Sequence, residues 1–552
     1  MNYFSDYHKM MKLENLYEYL EHKSNEYENS FVVQEYKDGQ VLAHTYKELL
    51  NDVRVFSNYL IENNVHKQHV SIIGNFSYEW LVSYFSLLCS NNVVVPIDGN
   101  QSNERIHKQL VSTEVDTIIA EQKIDIGEEN IIYFEDIGNI IASDKFESTK
   151  KPYSAATLDS TAMIMFSSGT TGESKLVPLT HKNILHGVIS TVMHWGENTL
   201  PRKSNTIALL PPYHMFGLFV GTLNIIYYGV ALCYSKNTKK DIEALIKTFK
   251  PSILIVVPQV IEGLHKKIWA VARKTNKQDT LKKALMLSSA LRKIKIDMRK
   301  VLFKSVLDSL GGNLFKIVCG GANSNAMVIK EMTEFGIEVM TGYGLTECAV
   351  GISINLPKKQ KWDSVGLPMP EPFCSVKIKD GEILVSGTTV MNGYFNDPQG
   401  NEDVFDDEWL KTGDLGWIDE DGYLYITGRK KNLIILNDGN NISPEELEIR
   451  ISQSPIVDSV LVYSMKRMHT PVVLASIYPD FQYCSTNNIS DIKGEAMKLI
   501  HQINAENPHY MKIFDVEIRD TPFEKTAIGK INRNALKNLE QEGSESISDT
   551  TA

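Results

Sequence analysis

The sequence lacks closely spaced cysteines, long apolar runs and an excess of positive charge. Its six cysteines are widely scattered and none forms a C-x-x-C pair, so neither a zinc site nor a disulfide framework is expected, as in a reducing compartment. The longest apolar stretch, residues 218–234, contains Thr222, Asn224 and two glycines, which indicates buried core rather than a membrane span. A net charge of −11 argues against nucleic acid as a partner. Because residues 1–19 are polar and carry no secretory signal, we expect a cytoplasmic protein.

The chain is long enough for more than one folding unit, with 552 residues of which 43% are hydrophobic. From about residue 31 to residue 380, short apolar segments rich in β-branched residues alternate with amphipathic segments. This alternation predicts an α/β fold, a layered arrangement of βα subdomains with largely parallel sheets. The expected strands are residues 70–73, 93–97, 117–120, 206–210, 253–257 and 314–318.

The remaining sequence divides into smaller regions. After Gly381, glycine-rich turns separate short strand-like segments, which predicts a small β-rich subdomain that completes a large N-terminal domain, residues 1–428. The basic tripeptide 429–431 marks the main boundary. Residues 432–540 mix strand-like and helix-like segments, as expected for a small α+β C-terminal domain. The polar tail, residues 541–552, is predicted to be disordered.

A loop rich in serine, threonine and glycine precedes a helix-like segment that opens at Thr180. Residues 166–175 read FSSGTTGESK, and their hydroxyl and unhindered backbone N–H groups suit a polyanion. This is not a Walker loop, because Gly172 is followed by Glu173 and Ser174 instead of lysine. Taken alone, such a loop is more typical of a flexible polar connection.

Five further motifs follow in order, and each is weak by itself. Gly320 and Gly321 allow a planar ligand close to the backbone. Tyr343 offers an aromatic face, and Thr346 and Glu347 offer a hydroxyl and a carboxylate suited to a phosphate and Mg²⁺. The motifs are PPYHMFG (211–217), CGGAN (319–323), TGYGLTE (341–347), KTGDLG (411–416), and GRKKNLIILNDGNNISPEELE (428–448) with a late GKINR (529–533).

In this order and at these spacings, the motifs resemble the adenylate-forming superfamily, which includes acyl-CoA synthetases, adenylation domains and firefly-type luciferases. The resemblance covers roughly residues 31–536. The stretches 257–269, 310–322 and 427–448 are similar to the long-chain fatty acyl-CoA synthetase branch. Amino-acid-activating domains usually carry an aspartate after the aromatic position of the second motif, and residues 214–217 contain no acid, which argues against a free amino acid as substrate.

The resemblance implies two half-reactions that use ATP, Mg²⁺ and a thiol. A fatty or other apolar carboxylic acid of medium or long chain would form an acyl-adenylate with release of pyrophosphate, and the acyl group would then pass to CoA. One alternative is an acyl-AMP ligase that loads the phosphopantetheine of a separate carrier protein. Another, of a different class, is a non-catalytic relative that binds a nucleotide or a lipid.

The resemblance also implies a role for each motif residue. The phosphates would be held by Ser167, Ser168, Gly169, Thr170, Thr171, Gly172 and Lys175. The adenine would lie between Gly320, Gly321, Ala322 and the Gly342-Tyr343-Gly344 segment. Thr346 would bond the α-phosphate, Glu347 and Thr170 would hold Mg²⁺, and Asp414 with Arg429 would bind the ribose. His214 is either a core residue or, as the resemblance implies, a catalytic residue where the acyl and nucleotide pockets meet.

Lys530, in the small domain, would bridge the substrate carboxylate and the α-phosphate in the transition state. The resemblance implies that the small domain is mobile and turns about a hinge residue, Lys431, after pyrophosphate leaves. That rotation would withdraw Lys530 and bring Asp438, Gly439 and Asn440 to a channel for the thiol.

Residues 266–304 depart from the acidic average of the chain. They contain thirteen lysines and arginines against two acids, Asp279 and Asp297, with apolar residues between them. A solvated helical face is one interpretation. The other is a contact with an anionic partner, either lipid headgroups or a polyphosphate such as CoA, which would add weak peripheral membrane contact to a cytoplasmic location.

Overall fold

The computed structural model of the chain describes residues 5–127, 130–143, 145–146, 156–167, 174–196, 199–201, 203–236, 242–322, 324–349, 351–436, 441–467, 470–524, 531 and 533. In these ranges, none of the helices combines the length and the apolar character that crossing a membrane requires.

Strands and helices alternate over most of the chain. The strands are β1 (Phe31–Lys37), β2 (Gln40–Thr45), β3 (His69–Ile73), β4 (Val93–Ile97), β5 (Thr117–Ala120), β6 (Ile131–Tyr133), β7 (Thr161–Phe166), β8 (Leu176–Thr180), β9 (Asn205–Ile207), β10 (Ala231–Tyr234), β11 (Ile253–Val256), β12 (Lys316–Cys319), β13 (Glu338–Tyr343), β14 (Ser353–Asn355), β15 (Leu367–Pro368), β16 (Ser375–Lys379), β17 (Glu382–Ser386), β18 (Phe405–Asp406), β19 (Trp409–Ile418), β20 (Leu424–Arg429), β21 (Ile434–Ile435), β22 (Asn441–Ile442), β23 (Val457–Arg467), β24 (Thr470–Pro479) and β25 (Ile513–Ile518).

The α-helices pack against the sheets of both the first part of the chain and the C-terminal region. They are α1 (Ser5–Met10), α2 (Leu16–Glu26), α3 (Tyr46–Glu62), α4 (Tyr78–Cys89), α5 (Asn103–Ser112), α6 (Phe134–Ile141), α7 (His181–Trp195), α8 (Met215–Leu218), α9 (Asn224–Tyr227), α10 (Ile242–Phe249), α11 (Pro258–Lys274), α12 (Gln278–Lys293), α13 (Arg299–Leu302), α14 (Lys304–Ser309), α15 (Ala326–Glu334), α16 (Pro398–Val404), α17 (Pro444–Ser452), α18 (Phe481–Thr486) and α19 (Ile492–Glu506). A π-helical turn (Phe219–Leu223) joins α8 to α9, and short 3₁₀ turns lie at Thr346–Cys348, Pro357–Lys359, Lys430–Asn432 and His509–Met511.

Two large sheets form the first part of the chain and confirm the predicted layered α/β architecture. One has six strands in the order β6-β5-β3-β4-β7-β8, and the other has nine in the order β15-β14-β13-β12-β11-β9-β10-β1-β2. Pairing is parallel from β10 through β9, β11 and β12 to β13. Because parallel strands end at the same edge, the segments that follow β11, β12 and β13 lie side by side, where α/β folds commonly bind ligands.

Strand β9 is shorter than the sequence pattern suggested. Residues 206–210 were expected to form one strand. In the structure β9 ends at Ile207, which is paired with Cys233 of β10. Pro211 and Pro212 lack the N–H groups that would extend the ladder. The chain therefore turns here and places the following motif, residues 213–217, next to the end of the sheet.

An antiparallel sheet forms the β-rich subdomain, in the order β16-β17-β19-β18 with β20 paired to β19. Within the β19–β20 hairpin, Asp414 lies directly opposite Arg429. The two charged side chains are thus on the same face of neighbouring strands, where opposite charges stabilise each other.

The C-terminal region has its own core, built on strands β23, β24 and β25 and helices α17 and α19. Polar contacts join it to the first part of the chain. Lys266 Nζ on α11 lies 2.7 Å from Asp458 Oδ1 and 3.2 Å from Asp480 Oδ2. The Asn325 amide donates to the backbone oxygen of Ser452 at 3.4 Å. These bonds connect the C-terminal region to α11 and to Asn325, the residue that precedes α15.

Candidate active site

The structure describes many of the residues that the sequence singled out. Ser167, Lys175, His214, Gly320, Gly321, Ala322, Gly342, Tyr343, Gly344, Thr346, Glu347, Asp414, Arg429 and Lys431 belong to this part of the chain. Outside the described residues lie Ser168, Gly169, Thr170, Thr171, Gly172, Asp438, Gly439, Asn440 and Lys530.

The buried carboxylate of Asp414 contacts two other predicted site residues, Tyr343 and Arg429. Its side chain joins two elements that are remote in sequence, β13 and β20. Tyr343 Oη donates a hydrogen bond to Asp414 Oδ2 at 2.7 Å, and Arg429 Nε lies 2.9 Å from Asp414 Oδ1. Asp414 is only 3% exposed. Each carboxylate oxygen has two lone pairs, so one on each oxygen remains to accept a further hydrogen bond after these contacts.

The phenol of Tyr343 is held as a neutral donor. Burial raises its pKa well above the usual value, and the negative charge of Asp414 acts in the same direction. The sequence suggested only an aromatic face at this position. The structure adds that the hydroxyl fixes the orientation of Asp414, a contact that bridges 71 positions of sequence.

Glu347 lies close to this pair, in the short turn Thr346–Cys348 that follows β13. Burial is the main cause that raises the pKa of its carboxyl group, and Asp414 contributes in the same direction. A hydrogen bond from Tyr394 Oη to Glu347 Oε1, at 3.3 Å, and the charge of Arg429 oppose this effect. A nearby cation would stabilise the charged form of a carboxylate in such an environment.

Tyr394 also contacts Lys175, so it connects two predicted site residues that the sequence separates widely. Lys175 Nζ lies 4.4 Å from the centre of the Tyr394 ring and 3.6 Å from Asp397 Oδ2. Sequence reasoning missed Tyr394, which lies in the glycine-rich region after Gly381 that predicted only short strands and turns. Its aromatic ring directly after Gly393 was the one signal in the sequence that could have marked it.

The base of the serine- and glycine-rich loop is closed by the hairpin of β7 and β8. Phe166 pairs with Leu176, and the backbone N–H of Ser167 donates to the carbonyl of Lys175 at 2.9 Å. A cleft of about 280 Å³ beside Gly413 is lined by three lysines, Lys175, Lys411 and Lys430, and by two acids, Glu382 and Asp403. Lys430 is paired with Glu382 at 2.7 Å, so Lys175 and Lys411 are the cations of this cleft that suit an anionic ligand.

The second and third motifs meet at Phe216 and Gly320. A Cβ atom at Gly320 would lie 3.1 and 3.2 Å from two atoms of the Phe216 ring, so only glycine leaves this ring its present position. Gly321 has a φ of +84°, which side chains rarely adopt. His214 precedes α8 on the same turn as Phe216, and its ring centre lies 5.1 Å from that of Tyr213.

Lys431 lies in the turn Lys430–Asn432, directly after β20. Loss of hydration lowers the pKa of its ammonium group, and the positive charge of Arg429 acts in the same direction. Asp414 and Glu347 act in the opposite direction, which means that the residue proposed as a hinge is electrostatically coupled to the site.

The described residues fit the nucleotide and the Mg²⁺ that the sequence resemblance implies. Asp414 keeps one free lone pair on each carboxylate oxygen, and Lys175 and Lys411 line the cleft beside Gly413. Within the described ranges, no cluster of three or more His, Cys, Asp or Glu side chains is placed to hold a metal. A single carboxylate such as Glu347 is compatible with Mg²⁺, which commonly binds one or two carboxylates together with substrate phosphates.

Comparison with known proteins identifies the family. The profile of the AMP-binding enzymes matches residues 20–395, and that of the AMP-binding enzyme C-terminal domain matches residues 431–543. The long-chain-fatty-acid–CoA ligase FadD15 of Mycobacterium bovis is 28% identical over 469 residues, which are 77% of this chain and 76% of the relative. The 2-succinylbenzoate–CoA ligase of Listeria innocua is 26% identical and covers 89% of this chain and 94% of its own length.

The fold is likewise shared with solved structures. The o-succinylbenzoate–CoA synthetase of Bacillus subtilis, in complex with ATP and a magnesium ion, superposes with a TM-score of 0.71 at 20% identity, over 94% of this chain and 99% of the other. The chain therefore belongs to the AMP-binding enzymes, the adenylate-forming superfamily, and is an AMP-forming acid–thiol ligase of the acyl-CoA synthetase type.

Proposed function

We propose that this enzyme activates a medium- or long-chain fatty acid with ATP and transfers the acyl group to CoA. The observation that carries the proposal is the geometry of Asp414. Its buried carboxylate is fixed by Tyr343 and Arg429, and it keeps one acceptor position on each oxygen, as the two adjacent hydroxyls of a ribose require.

The chemistry divides into two steps. In the first, a carboxylate oxygen of the acid attacks the α-phosphorus of ATP, and the bond to pyrophosphate breaks. In the second, a thiolate attacks the acyl carbon, and AMP leaves with the electron pair of the acyl–oxygen bond. Mg²⁺ bound at Glu347, and at Thr170, would neutralise phosphate charge. The protein contributes mainly positioning and positive charge, which stabilise the negative charge that builds during phosphoryl transfer.

An apolar substrate agrees with the side chains around the site. Met215, Met340 and Cys348 are buried, and they lie within or directly beside the motifs 211–217 and 341–347. Burial raises the pKa of the Cys348 thiol, so this residue stays neutral. The long-chain ligase among the relatives supports a fatty acid, whereas the succinylbenzoate ligase makes an aromatic dicarboxylate the second candidate.

A panel of carboxylic acids scored by pyrophosphate release tests this proposal. The panel would contain saturated fatty acids of increasing length, 2-succinylbenzoate and free amino acids, each with and without CoA. We expect release with the fatty acids and formation of acyl-CoA when CoA is present. A preference for 2-succinylbenzoate would contradict the substrate assignment, and no release with any acid would instead favour a non-catalytic binding protein.

The thiol acceptor needs a separate comparison. The purified enzyme would be given its best acid and ATP with either CoA or a pantetheinylated acyl-carrier protein, and thioester formation would be followed by mass. We expect the CoA thioester to form faster. Thioester on the carrier alone would identify an acyl-AMP ligase.

Gly320→Ala is expected to raise the KM for ATP by about tenfold, since added volume in a packed site typically costs about 1–3 kcal/mol. The new methyl group would push the Phe216 ring, now 3.1 Å away, into the proposed adenine pocket. Gly263→Ala in α11 is the matched control, because no atom lies within 4 Å of its added Cβ. Steady-state kinetics that give the same KM for both variants would contradict the placement of adenine at Gly320.

We further propose that residues 1–428 and 432–540 act as two domains joined by the hinge 429–431. Lys431→Pro is expected to slow thioester formation from supplied acyl-AMP by about tenfold or more, while acyl-adenylate formation changes by less than about threefold, because proline restricts backbone rotation where the hinge turns. Lys431→Ala is the control that removes the charge and keeps the rotation. An unaffected thioester step in the proline variant would count against the hinge.

A further inference from the structure

The surface of residues 282–301, in α12 and the turns that follow it, exposes an unusual number of apolar side chains. Six of the 19 exposed large apolar side chains of the described residues lie in this short segment. They are Met286, Leu287, Ile294, Ile296, Met298 and Val301. Soluble monomers rarely leave such a cluster in water without a partner.

These exposed side chains differ from nearby apolar residues that pack into the core. Leu281 and Leu285 pack on the core beneath α12, and Ile268 is buried within it. Buried Ser288 donates to Glu334 at 3.3 Å, and Arg292 pairs with Glu334 at 2.6 Å, so both anchor the same inner face. The sequence alone could not distinguish these two groups.

The exposed side chains of α12 lie on its outward face. Lys283, Met286, Leu287, Ala290 and Ile294 recur every three or four residues, which places them on one side of the helix, and all are exposed. Met286 and Ile294 are each 65% exposed, and Val301, in the next helical turn, is 66% exposed. The apolar side chains therefore point to solvent over the C-terminal half of α12 and continue into α13.

Lysines surround these apolar side chains. Lys282, Lys283, Lys293, Lys295 and Lys300 are exposed, and none of them pairs with an acid in the part of the chain that the structure describes. The acid within the segment, Asp297, is already occupied by Arg299, at 2.7 Å. This surface is thus locally cationic although the whole chain carries a net charge of −11.

We propose that the surface of residues 282–301 binds an anionic membrane surface. Apolar side chains that reach the acyl boundary, combined with lysines at the level of the headgroups, are what such an interface requires. A free polyphosphate would need the lysines but not the exposed apolar groups. A second copy of the chain would bring like charges together, which opposes association through this face. The proposal is independent of the reaction assigned to the site.

Flotation of the full-length protein with vesicles tests the proposal. Vesicles of phosphatidylcholine alone would be compared with vesicles that also contain phosphatidylglycerol. We expect binding to the anionic vesicles only, and weaker binding as salt rises. Equal binding to both vesicles, or to neither, would overturn the proposal.

Two sets of variants locate the contact. Replacing Lys282, Lys283 and Lys293 by glutamine should weaken binding roughly 100-fold, since each lysine near an anionic surface contributes about fivefold. Met286→Ser combined with Val301→Ser should also weaken binding, without changing its dependence on salt. The matched control replaces Lys37, Lys493 and Lys512, which are exposed elsewhere, by glutamine.

The control set should bind as the unmodified protein does. Equal losses in both lysine sets would show a nonspecific charge effect and overturn the assignment to residues 282–301. That assignment would also be overturned if the variants bound vesicles normally but differed in oligomeric state or in tripolyphosphate binding. Pyrophosphate release with a soluble acid should be unchanged in every variant, which confirms that each is folded.

Discussion

Replacement of Lys530 by alanine is expected to slow acyl-adenylate formation by roughly 100- to 1000-fold, the range seen when one group that stabilises transition-state charge is removed. Lys530 lies outside the described residues, and its role follows from the resemblance of GKINR (529–533) to the late motif of the superfamily. The described part of the site supports the need for it. Arg429 is bound to Asp414, and Lys430 lies 2.7 Å from Glu382, so these cations are already engaged.

The same variant should form thioester from supplied acyl-AMP at nearly the original rate, because Lys530 is proposed to be withdrawn during that step. The measurement is a pair of single-turnover experiments, one that starts from ATP and acid and one from acyl-AMP and CoA. The control is Lys512→Ala, at an exposed lysine in the same region, and it should leave the rate of both half-reactions unchanged. Equal loss in the two half-reactions would refute the division of labour between them.

Asp414→Asn is expected to lower kcat/KM for ATP by about 100-fold, because hydrogen bonds to a charged acceptor contribute about 1.5–3 kcal/mol each. Asparagine keeps the size of the side chain but loses the negative charge and one acceptor oxygen. Its amide would point either at the Arg429 guanidinium, as a second donor, or at the Tyr343 hydroxyl, which would then have to accept. In both orientations the proposed ribose acceptor is weakened.

A matched control for Asp414 is available on the same hairpin. Asp419 also joins a cation and a tyrosine, at 2.6 Å to Lys361 Nζ and 3.2 Å to Tyr425 Oη, but it lies at the far end of β19. Asp419→Asn should leave kcat/KM for ATP within about threefold of the original, since the side-chain partners of Asp419, Lys361 and Tyr425, are not among the residues assigned to the site. If the two variants lost activity equally, disturbance of the hairpin would explain the result and the ribose role of Asp414 would be rejected.

Melting temperatures measured with and without ATP would distinguish a loss of ATP binding from a loss of protein stability. Asp414→Asn leaves Arg429 beside a neutral amide, and loss of a charged partner in a buried pair is destabilising. Addition of ATP should stabilise the original protein and the Asp419 variant, because a ligand that binds only the folded state raises its stability. The Asp414 variant should gain much less from the same ATP concentration.

The exposed apolar surface of residues 282–301 is a feature that the sequence alone could not predict. Residues 266–304 alternate basic and apolar side chains, and their composition allowed either a solvated helix face or an anionic contact. Only packing distinguishes Leu285, which lies against the core, from Met286, its neighbour in sequence, which faces solvent. Helical periodicity predicts that two faces exist, but which face is buried depends on the elements that the helix contacts.

The type of reaction is implied by the resemblance of the motifs, in their order along the chain, to the adenylate-forming superfamily, and the alternation of strands and helices predicts the fold class. Residue types, their order and their spacing belong to the sequence itself, so they can be recognised without the fold. Which groups meet is known only from the folded molecule. Tyr343 donates to Asp414 across 71 positions, and Tyr394 links Glu347 to Lys175, because folding brings the ends of β13, β19 and the 393–397 turn together. Hydrogen bonds, burial and the pKa values that follow from them depend on distances in space, which the order of residues does not contain.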